Sequence, residues 1–410
     1  MIIAEQIEIS AKKDSTKTPL LIHYIKSKKI PENNRILDII KNDLIFIEQF
    51  DLTVIQKLKL PRKQERIELS KQYPFGIFML DKPTKIDVYI IDLSTNKTLV
   101  GKRIFKHENE RRLGHTIADL IIESLTGSPG FFSTYIAYTK EVLTPKNPYI
   151  ATKQLCIAEY DGSHETVLVE KPGLIFGLRW DPAIPRIFYS QHTKTNIQLR
   201  MVNLSKKIHT VADNDGITML PTFMPNQGII VAATNNNKFS QLYEYTLQGI
   251  TQLTFFEGNS TAPSFSAGDT MLYFCSDFKN NSPHIFGWNM KNGIENVIEL
   301  TPEGYCTCPV INSTGNVLVY TKLVKGYMQI FLYDIQTKMH RQMTFDQTNK
   351  ESCSWSPCNT YLLYCATKHD SQIIQLNIIT GTKKTITPTK YRCSYPAWSP
   401  VYKDFLLVLS

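Results

Sequence analysis

A short pattern recurs six times along the C-terminal two thirds of this 410-residue chain: an aromatic or apolar residue, a tight turn, and an apolar run. Examples are LRWDPAIPRIFYS, PSFSAGDTMLYFCS and CSWSPCNTYLLYCA. The leading residues, here called anchors, are Trp180, Phe223, Phe265, Ile311, Trp355 and Trp398, and they lie 43, 42, 46, 44 and 43 residues apart. This period is the length of a four-stranded propeller blade, and each run is apolar at nearly every position, as in a strand buried on both faces. The sequence therefore predicts a six-bladed β-propeller.

The way in which the propeller closes is suggested by its incomplete last unit. Five units continue with a third strand, such as QLYEYTL or QIFLYDI, and a more polar fourth segment, such as QMTFDQ. The sixth, YPAWSPVYKDFLLVLS, reaches Ser410 after two predicted strands, whereas QLCIAEYDGSHETVLVE at residues 154–170 carries third- and fourth-strand patterns before the first anchor. We therefore expect a propeller over 154–410, closed by pairing of 154–170 with 396–410, which removes the open edges of an array.

Two other repeat architectures are disfavoured. A β-helix or open solenoid has shorter coils, and WD40 repeats carry Gly-His and Trp-Asp dipeptides that do not recur here at blade spacing.

The first 140 residues lack this period and predict a small α/β domain. EQIEIS, LIFIEQF, GIFMLD and DVYIIDL are typical of strands, and RILDIIKNDL and HTIADLIIESL have the apolar spacing of amphipathic helices. Such alternation favours an α/β fold. Residues 141–153, which contain two prolines, are expected to be the linker to the propeller.

Composition excludes several classes of protein. The net charge is +9 with scattered basic residues, which does not favour nucleic-acid binding. No apolar stretch approaches the roughly 20 residues of a membrane-spanning helix. The N-terminal MIIAEQIEIS lacks the pattern of a signal peptide, so we expect either a cytosolic protein or a trimmed leader. The cysteines lack zinc-ligand spacing and are expected to be buried thiols: Cys156, Cys275, Cys306, Cys308, Cys353, Cys358, Cys365 and Cys393.

Candidate catalytic and metal-binding residues are few. No G-x-S-x-G elbow occurs, which argues against the commonest propeller hydrolases. ADNDGIT would place Val211 at the first ligand position of a calcium loop, so a polar turn is favoured. His115 in GHTIAD has no recognisable catalytic partner in the sequence and is expected to be a capping or packing histidine. We expect no metal and no cofactor.

One stretch is more specific than any repeat. GHTIADLIIESLTGSPGFFSTYIAYT, residues 114–139, resembles the signature that joins the α/β domain to the propeller in the TolB family of the Tol-Pal envelope system. The blade motifs, the YDG at residues 160–162 and the terminal PAWSP resemble the same family. Ser133 and Tyr135 stand where that family usually has basic residues.

The resemblance implies a monomeric periplasmic protein, peripheral to the envelope and not membrane-spanning, with two partners. A TolA-like inner-membrane protein would contact the N-terminal segment, here Glu5, Gln6, Ile7, Glu8, Ile9 and Ser10. A Pal-like peptidoglycan-associated lipoprotein would sit over the mouth of the propeller channel. We expect the loops just before the anchors to crowd round the axis there, at Thr218, Met219, Asn259, Ser260, Thr261, Tyr305, Cys306, Thr307, Glu351, Ser352, Ser394 and Tyr395.

Two functions follow as hypotheses. The first is a non-enzymatic interaction scaffold of the Tol-Pal system that contributes to envelope integrity and cell division. The second is a propeller enzyme, of lactonase or lyase type, with a metal or small-molecule site in the axial channel. Metal-dependent propellers need several Asp, Glu, Asn or His at the mouth, whereas the predicted loops supply mainly Thr, Ser, Tyr and Cys with one Glu, which favours the scaffold.

Overall fold

The structure is a computed structural model that describes residues 17–27, 35–57, 59–106, 109–144, 147–213, 216–224, 228–234, 238–266, 268 and 270–402. The chain divides into two units, Met1–Ser133 and Thr134–Ser410. Across the described ranges, no helix is both long enough and apolar enough to span a membrane.

In its described residues, the first unit is a five-stranded sheet with three helices. The strands are β1 (Thr18–Lys26), β2 (Phe50–Gln56), β3 (Phe75–Asp81), β4 (Lys85–Asp92) and β5 (Lys97–Phe105), and the helices are α1 (Arg35–Phe46), α2 (Lys63–Ser70) and α3 (Glu110–Thr126). The sheet order is β2-β1-β3-β4-β5, with β1 parallel to both neighbours and the β3-β4-β5 part antiparallel. This mixed sheet confirms the predicted α/β domain.

The sequence signals of this unit agree with the structure in most places. α3 begins after Asn109, whose side chain accepts a hydrogen bond from Arg112 N at 3.0 Å, and ends at Gly127 with φ of 72°. GIFMLD and DVYIIDL form β3 and β4 as predicted. LIFIEQF is not a strand: its first residues complete α1, because Leu37, Ile40 and Leu44 continue the buried helical stripe, and β2 begins only at Phe50. EQIEIS lies outside the described residues.

Two glycines of the GHTIAD…GSPG stretch are required by close packing. α1 and α3 pack together, and a Cβ on Gly114 of α3 would lie 2.7 Å from the Ile39 side chain of α1. A Cβ on Gly130 would lie 2.4 Å from Asp119. Both distances are shorter than carbon contacts allow, so these positions need glycine.

The second unit is a propeller of six four-stranded sheets. In chain order its strands are β6 (Tyr135–Thr144), β7 (Asn147–Glu159), β8 (Thr166–Pro172), β9 (Ile175–Trp180), β10 (Arg186–His192), β11 (Ile197–Asn203), β12 (Ile208–Ala212), β13 (Thr218–Phe223), β14 (Ile229–Ala233), β15 (Gln241–Thr246), β16 (Gly249–Gln252), β17 (Ser260–Phe265), β18 (Met271–Ser276), β19 (His284–Asn289), β20 (Ile298–Glu299), β21 (Cys306–Ile311), β22 (Val317–Val324), β23 (Tyr327–Asp334), β24 (His340–Gln342), β25 (Asn349–Trp355), β26 (Tyr361–Thr367), β27 (Ser371–Asn377), β28 (Lys383–Thr385) and β29 (Arg392–Trp398). A short 3₁₀ helix, Ile294–Asn296, precedes β20.

Five blades are continuous in the chain: β9–β12, β13–β16, β17–β20, β21–β24 and β25–β28. Every anchor is the last residue of the first strand of its blade, here called the inner strand. The predicted period, blade number and third strands are therefore confirmed.

The sixth blade is shared between the two ends of the propeller in the order β29-β6-β7-β8. Residues 154–170 and the end of β29 lie in one sheet, as expected, but β6 lies between them and pairs with β29, for example Trp398 with Ile136. Only one strand of the described C-terminal residues joins this blade. Residues 403–410, expected to form its second strand, lie outside the described residues.

The expected linker at 141–153 is also part of this blade. Glu141 pairs with Lys153 and Val142 with Thr152, so the described residues of this stretch, 141–144 and 147–153, belong to the paired strands β6 and β7. The boundary between the two units falls after Ser133 rather than at residue 140.

Candidate functional site

The six inner strands form a closed ring around the propeller axis. Each is the edge strand of its sheet, and each contacts the next, from β9 through β13, β17, β21, β25 and β29 back to β9. Hydrogen bonds join neighbouring blades within the ring. Phe265 N donates to Thr222 Oγ1 at 3.1 Å, Ile311 N to Ser264 Oγ at 3.0 Å and Trp398 N to Ser354 Oγ at 2.9 Å. A central channel is therefore lined by these edges.

A β-bulge with a left-handed residue interrupts every inner strand three positions before its anchor. The bulge residues are Gly177, Leu220, Ala262, Cys308, Ser352 and Tyr395, with φ values of 64°, 53°, 48°, 53°, 57° and 54°. The pairing register between inner and second strand shifts at this point in all six blades. Five of the six are not glycine, and a left-handed conformation costs such residues about 1–2 kcal/mol each. Strain of this kind is concentrated at functional sites.

The bulge bends each inner strand and separates its mouth end from its anchor end. Proline follows the bulge residue in four blades, as at Pro221 and Pro263, and proline without its N–H is tolerated in sheets at such positions. The mouth end of the channel is therefore shaped by a repeated backbone feature.

The residues predicted to surround the mouth are brought together at this end, but most of them are in strands rather than loops. Only Asn259 and Tyr305 precede their strands; the other ten lie within β13, β17, β21, β25 and β29. The inner strands extend further towards the mouth than the turn signals in the sequence indicate.

The alternation of side chains along the strand divides the predicted set in two. Thr218, Ser260 and Cys306, five positions before their anchors, are completely buried. The next position is accessible in most blades. We call this set the mouth ring: Phe176, Met219, Thr261, Thr307, Glu351 and Ser394. Glu351 is exposed, and Met219, Thr261, Thr307 and Ser394 are half-buried.

The first blade contributes two residues that the sequence prediction missed. Phe176 belongs to the mouth ring, and its ring centroid lies 5.9 Å from that of Tyr395. Arg179 lies three residues deeper, immediately before Trp180. Counting four residues back from the first anchor identifies Phe176, whereas Arg179 lies outside the predicted segments.

Polar contacts hold the loops that lead to the mouth. In four blades a threonine two residues after the fourth strand accepts a hydrogen bond at its hydroxyl from a third-strand N–H. The pairs, at 2.8–3.0 Å, are Leu242 N to Thr254, Ile285 N to Thr301, Ile330 N to Thr344 and Ile373 N to Thr387. Third-strand glutamines donate to the loop carbonyls. Gln241 Nε2 reaches Phe256 O and Gly258 O at 2.9 Å each, and Gln329 Nε2 reaches Asp346 O at 2.8 Å. These loops therefore present their side chains from a fixed backbone.

Exposed aromatic side chains mark the rim formed by these loops. Phe255 is 70% exposed, Phe345 is 76% exposed and Tyr305 is 44% exposed. Phe255 and Phe345 each follow one of the threonines described above, in LTF and MTF. Large exposed aromatic side chains beside a concave surface are typical of sites where proteins bind one another.

The electrostatics of the mouth are set by one carboxylate and several thiols. Burial raises the pKa of Cys308, Cys365 and Tyr395, and the charge of Glu351 raises them further. Burial also raises the pKa of Cys156 to about 12 and that of Cys393 to about 11. All eight cysteines are free thiols and six are buried. Burial keeps these six protonated at neutral pH, as core or channel groups.

One blade replaces a buried small side chain by a lysine. Lys350, five positions before Trp355, is 1% exposed, and its Nζ donates to Thr348 O and Thr348 Oγ1 at 2.6 Å each and to the Asp346 carboxylate. Burial lowers the pKa of Lys350. Burial alone would raise the pKa of Asp346, but hydrogen bonds from Lys350 and Thr348 outweigh it and lower that pKa to about 2. The lysine therefore holds the loop before β25 in place.

His115 packs inside the first unit. Its Nδ1 lies 2.7 Å from Asp43 Oδ2, and both side chains are buried. The sequence prediction of a packing histidine agrees with this, although its carboxylate partner was not identified. Within the described ranges, no group of three His, Cys, Asp or Glu side chains is arranged to hold a metal ion.

Comparison with known proteins gives consistent matches. The family model of the TolB beta propeller domain matches residues 122–402. The Tol-Pal system protein TolB of Rickettsia canadensis is 34% identical over 145 residues, which cover 35% of this chain and 32% of that protein. The same protein of Vesicomyosocius okutanii is 24% identical over 223 residues, covering 52% and 51%. The chain thus spans between a third and a half of the length of these curated relatives.

Solved structures show the same fold. TolB from Acinetobacter baumannii superposes with a TM-score of 0.76 at 18% identity, covering 94% of this chain and 98% of that one. A chain of a nidogen/laminin complex matches 66% of this chain with a TM-score of 0.51 at 11% identity. The family model covers more than half of the chain, and on that ground this chain belongs to the TolB β-propeller family.

Proposed function

We propose that this chain is a non-enzymatic, periplasmic interaction scaffold of the Tol-Pal system that docks a Pal-like lipoprotein over the mouth of its propeller channel. The observation that carries the proposal is the mouth itself. Glu351 and the half-buried Met219, Thr261, Thr307 and Ser394 surround one end of a channel, and exposed aromatic side chains stand on the loops around it.

The mouth has the composition of a binding surface for another protein. Exposed aromatic side chains stand around a mostly polar mouth ring, and aromatic side chains supply much of the binding energy at protein interfaces. Membership of the TolB family supports the choice of partner, since relatives carry the name Tol-Pal system protein. A role in envelope integrity and cell division follows from this partner.

A second contact belongs to the same proposal. The N-terminal segment Glu5–Ser10 would bind a TolA-like inner-membrane protein, as the family resemblance implies, and the chain would act as a monomer. Removal of residues 1–16 is expected to abolish binding of the TolA-like protein and to leave binding of the lipoprotein unchanged.

The direct test is titration of the purified full chain with the purified Pal-like lipoprotein of the same organism, freed of its lipid anchor. Saturable one-to-one binding in a calorimeter supports the proposal. Absence of binding at tens of micromolar concentrations of both proteins would reject it.

A further inference from the structure

One charged side chain stands in the ring of inner strands where the other blades have neutral ones. Immediately before the anchor, five blades carry Thr222, Ser264, Val310, Ser354 and Ala397, whereas β9 carries Arg179. This position lies beyond the bulge, three residues further from the mouth than the mouth ring.

The surroundings of Arg179 place its side chain in the central space. The thiols of Cys308 and Cys353 belong to its electrostatic environment, although they lie on β21 and β25, three and four blades further round the ring. Desolvation lowers the pKa of Arg179. Because Cys308 and Cys353 lie on inner strands across the ring, the half-buried Arg179 side chain lies on the channel side of β9, where its guanidinium also donates to the Leu178 carbonyl.

The guanidinium has few partners there. Its Nη1 donates to Leu178 O at 3.0 Å, and it forms no ion pair with a carboxylate of the described residues. Burial raises the pKa of both Cys308 and Cys353, so the facing thiols are neutral. Four of the five N–H donors of an arginine thus remain for other partners.

A partly desolvated cation without a counter-ion is unfavourable and is relieved by an anion. The planar fork of a guanidinium matches the two oxygens of a carboxylate. The described inner strands carry two other cations, and both have partners outside the channel: the Lys350 ammonium is held by its own loop, and Arg392 pairs with Asp370. The exposed Glu351 at the mouth disfavours entry of a multiply charged anion. These features select a single carboxylate on a neutral stem.

We propose that Arg179 forms a carboxylate-binding subsite inside the channel, which accepts an aspartate or glutamate side chain from a loop of the docked partner. The use of the subsite by a protein rests on the proposed function, whereas the affinity of the site for a carboxylate does not.

The subsite is tested first on the full chain with acetate alone. The chain is labelled with ¹⁵N at arginine, and the side-chain Nε–H signals are followed by NMR while sodium acetate replaces sodium chloride at constant ionic strength. We expect a saturable shift of one signal, which disappears in Arg179→Gln. Arg179→Lys should weaken acetate binding about tenfold, because the charge is kept and the fork is lost.

Arg200 gives the matched control. Its Nε and Nη2 donate to Gln198 Oε1 on its own strand, so Arg200→Gln should leave the acetate-dependent signal unchanged. A shift that never saturates, or one that persists in Arg179→Gln when the variant keeps the circular dichroism spectrum of the native chain, would overturn the subsite.

A second arm separates this inference from the proposed function. If the Pal-like lipoprotein binds the native chain, Arg179→Gln should weaken it about tenfold or more, as loss of a charge-assisted bidentate contact does. Saturable acetate binding together with no lipoprotein binding would reject the proposed function and support the subsite. Unchanged lipoprotein affinity in Arg179→Gln would overturn the assignment of the carboxylate to the partner.

Discussion

The indole Nε1 of Trp398 donates a hydrogen bond to Thr134 Oγ1 at 2.8 Å, and the two residues are 264 positions apart in the chain. Trp398 ends the inner strand of the sixth blade, and Thr134 immediately precedes β6, the strand paired with it. Ser399 adds two hydrogen bonds with Tyr135, through its N–H and its Oγ. The first and last described parts of the propeller are therefore joined at this point.

Loss of this contact should destabilise the whole propeller. Trp398→Phe removes a buried donor and part of a buried ring, and we expect the free energy of unfolding to fall by about 2–4 kcal/mol. Trp288→Phe is the matched control, because its indole bonds to Asn292 O within a single blade. The free energies of unfolding are measured by chemical denaturation. If Trp398→Phe loses no more unfolding free energy than Trp288→Phe, the contact that closes the propeller has no special role in stability.

At a strained bulge, a substitution is expected to stabilise the propeller. Ala262 has φ of 48°, so Ala262→Gly should raise the free energy of unfolding by about 0.5–1 kcal/mol, because glycine adopts this conformation without steric cost. Ala397, also on an inner strand, has no positive φ. Ala397→Gly should therefore lower the free energy of unfolding by about 0.5–1 kcal/mol. If both variants lose stability, the bulge at Ala262 does not store strain.

Asp119 should give the first unit a characteristic pH dependence. Its carboxylate accepts from Phe132 N at 2.7 Å, Ser133 N at 3.0 Å and Ser133 Oγ at 2.5 Å. Burial nevertheless raises its pKa from 3.8 to about 6. The folded state holds the proton more tightly than the unfolded state, so the contribution to stability is complete below the unfolded pKa and is lost as pH rises through about 6.

The measurement compares the native chain with Asp119→Asn across this range. Between about pH 4 and pH 7 the native chain should lose roughly 2 to 2.5 kcal/mol of unfolding free energy relative to the variant, which has no proton to release. A difference between the two proteins that does not change with pH would contradict the shifted pKa.

The propeller was predictable from sequence because each blade repeats the same inner and second strands around a buried anchor. Trp180 and Trp398, at opposite ends of the array, occupy equivalent positions and could be counted from spacing alone. The closing strand was not predictable in this way. The 43-residue period is satisfied equally by a shared blade of one C-terminal and three N-terminal strands and by one of two strands from each end. The apolar sequence DFLLVLS led us to expect two C-terminal strands.

The candidate site was predicted only at the level of segments. Spacing from the anchors located the mouth in five blades, but it did not separate completely buried residues such as Thr218 from accessible ones such as Thr261. The bulges were also not visible in the sequence, since Leu220, Cys308 and Tyr395 are not residues that favour a left-handed backbone; only Gly177 is. Arg179 was missed because its position in the channel is recognised only from the thiols of Cys308 and Cys353, which lie on other blades.

The central claim is that the mouth of the channel is the docking surface for a Pal-like lipoprotein, and Thr261 tests it most directly. Thr261→Trp adds bulk at a half-buried mouth position, and Thr251→Trp makes the same change at an exposed position of β16, the outermost strand of the second blade. Glu351→Lys and Glu295→Lys form a second matched pair, since Glu295 is exposed on the 3₁₀ helix that precedes β20. Calorimetric titration with the lipoprotein should show affinities at least tenfold weaker in Thr261→Trp and Glu351→Lys and unchanged in the two controls. Native affinity in both mouth variants would place the docking surface elsewhere and contradict the account.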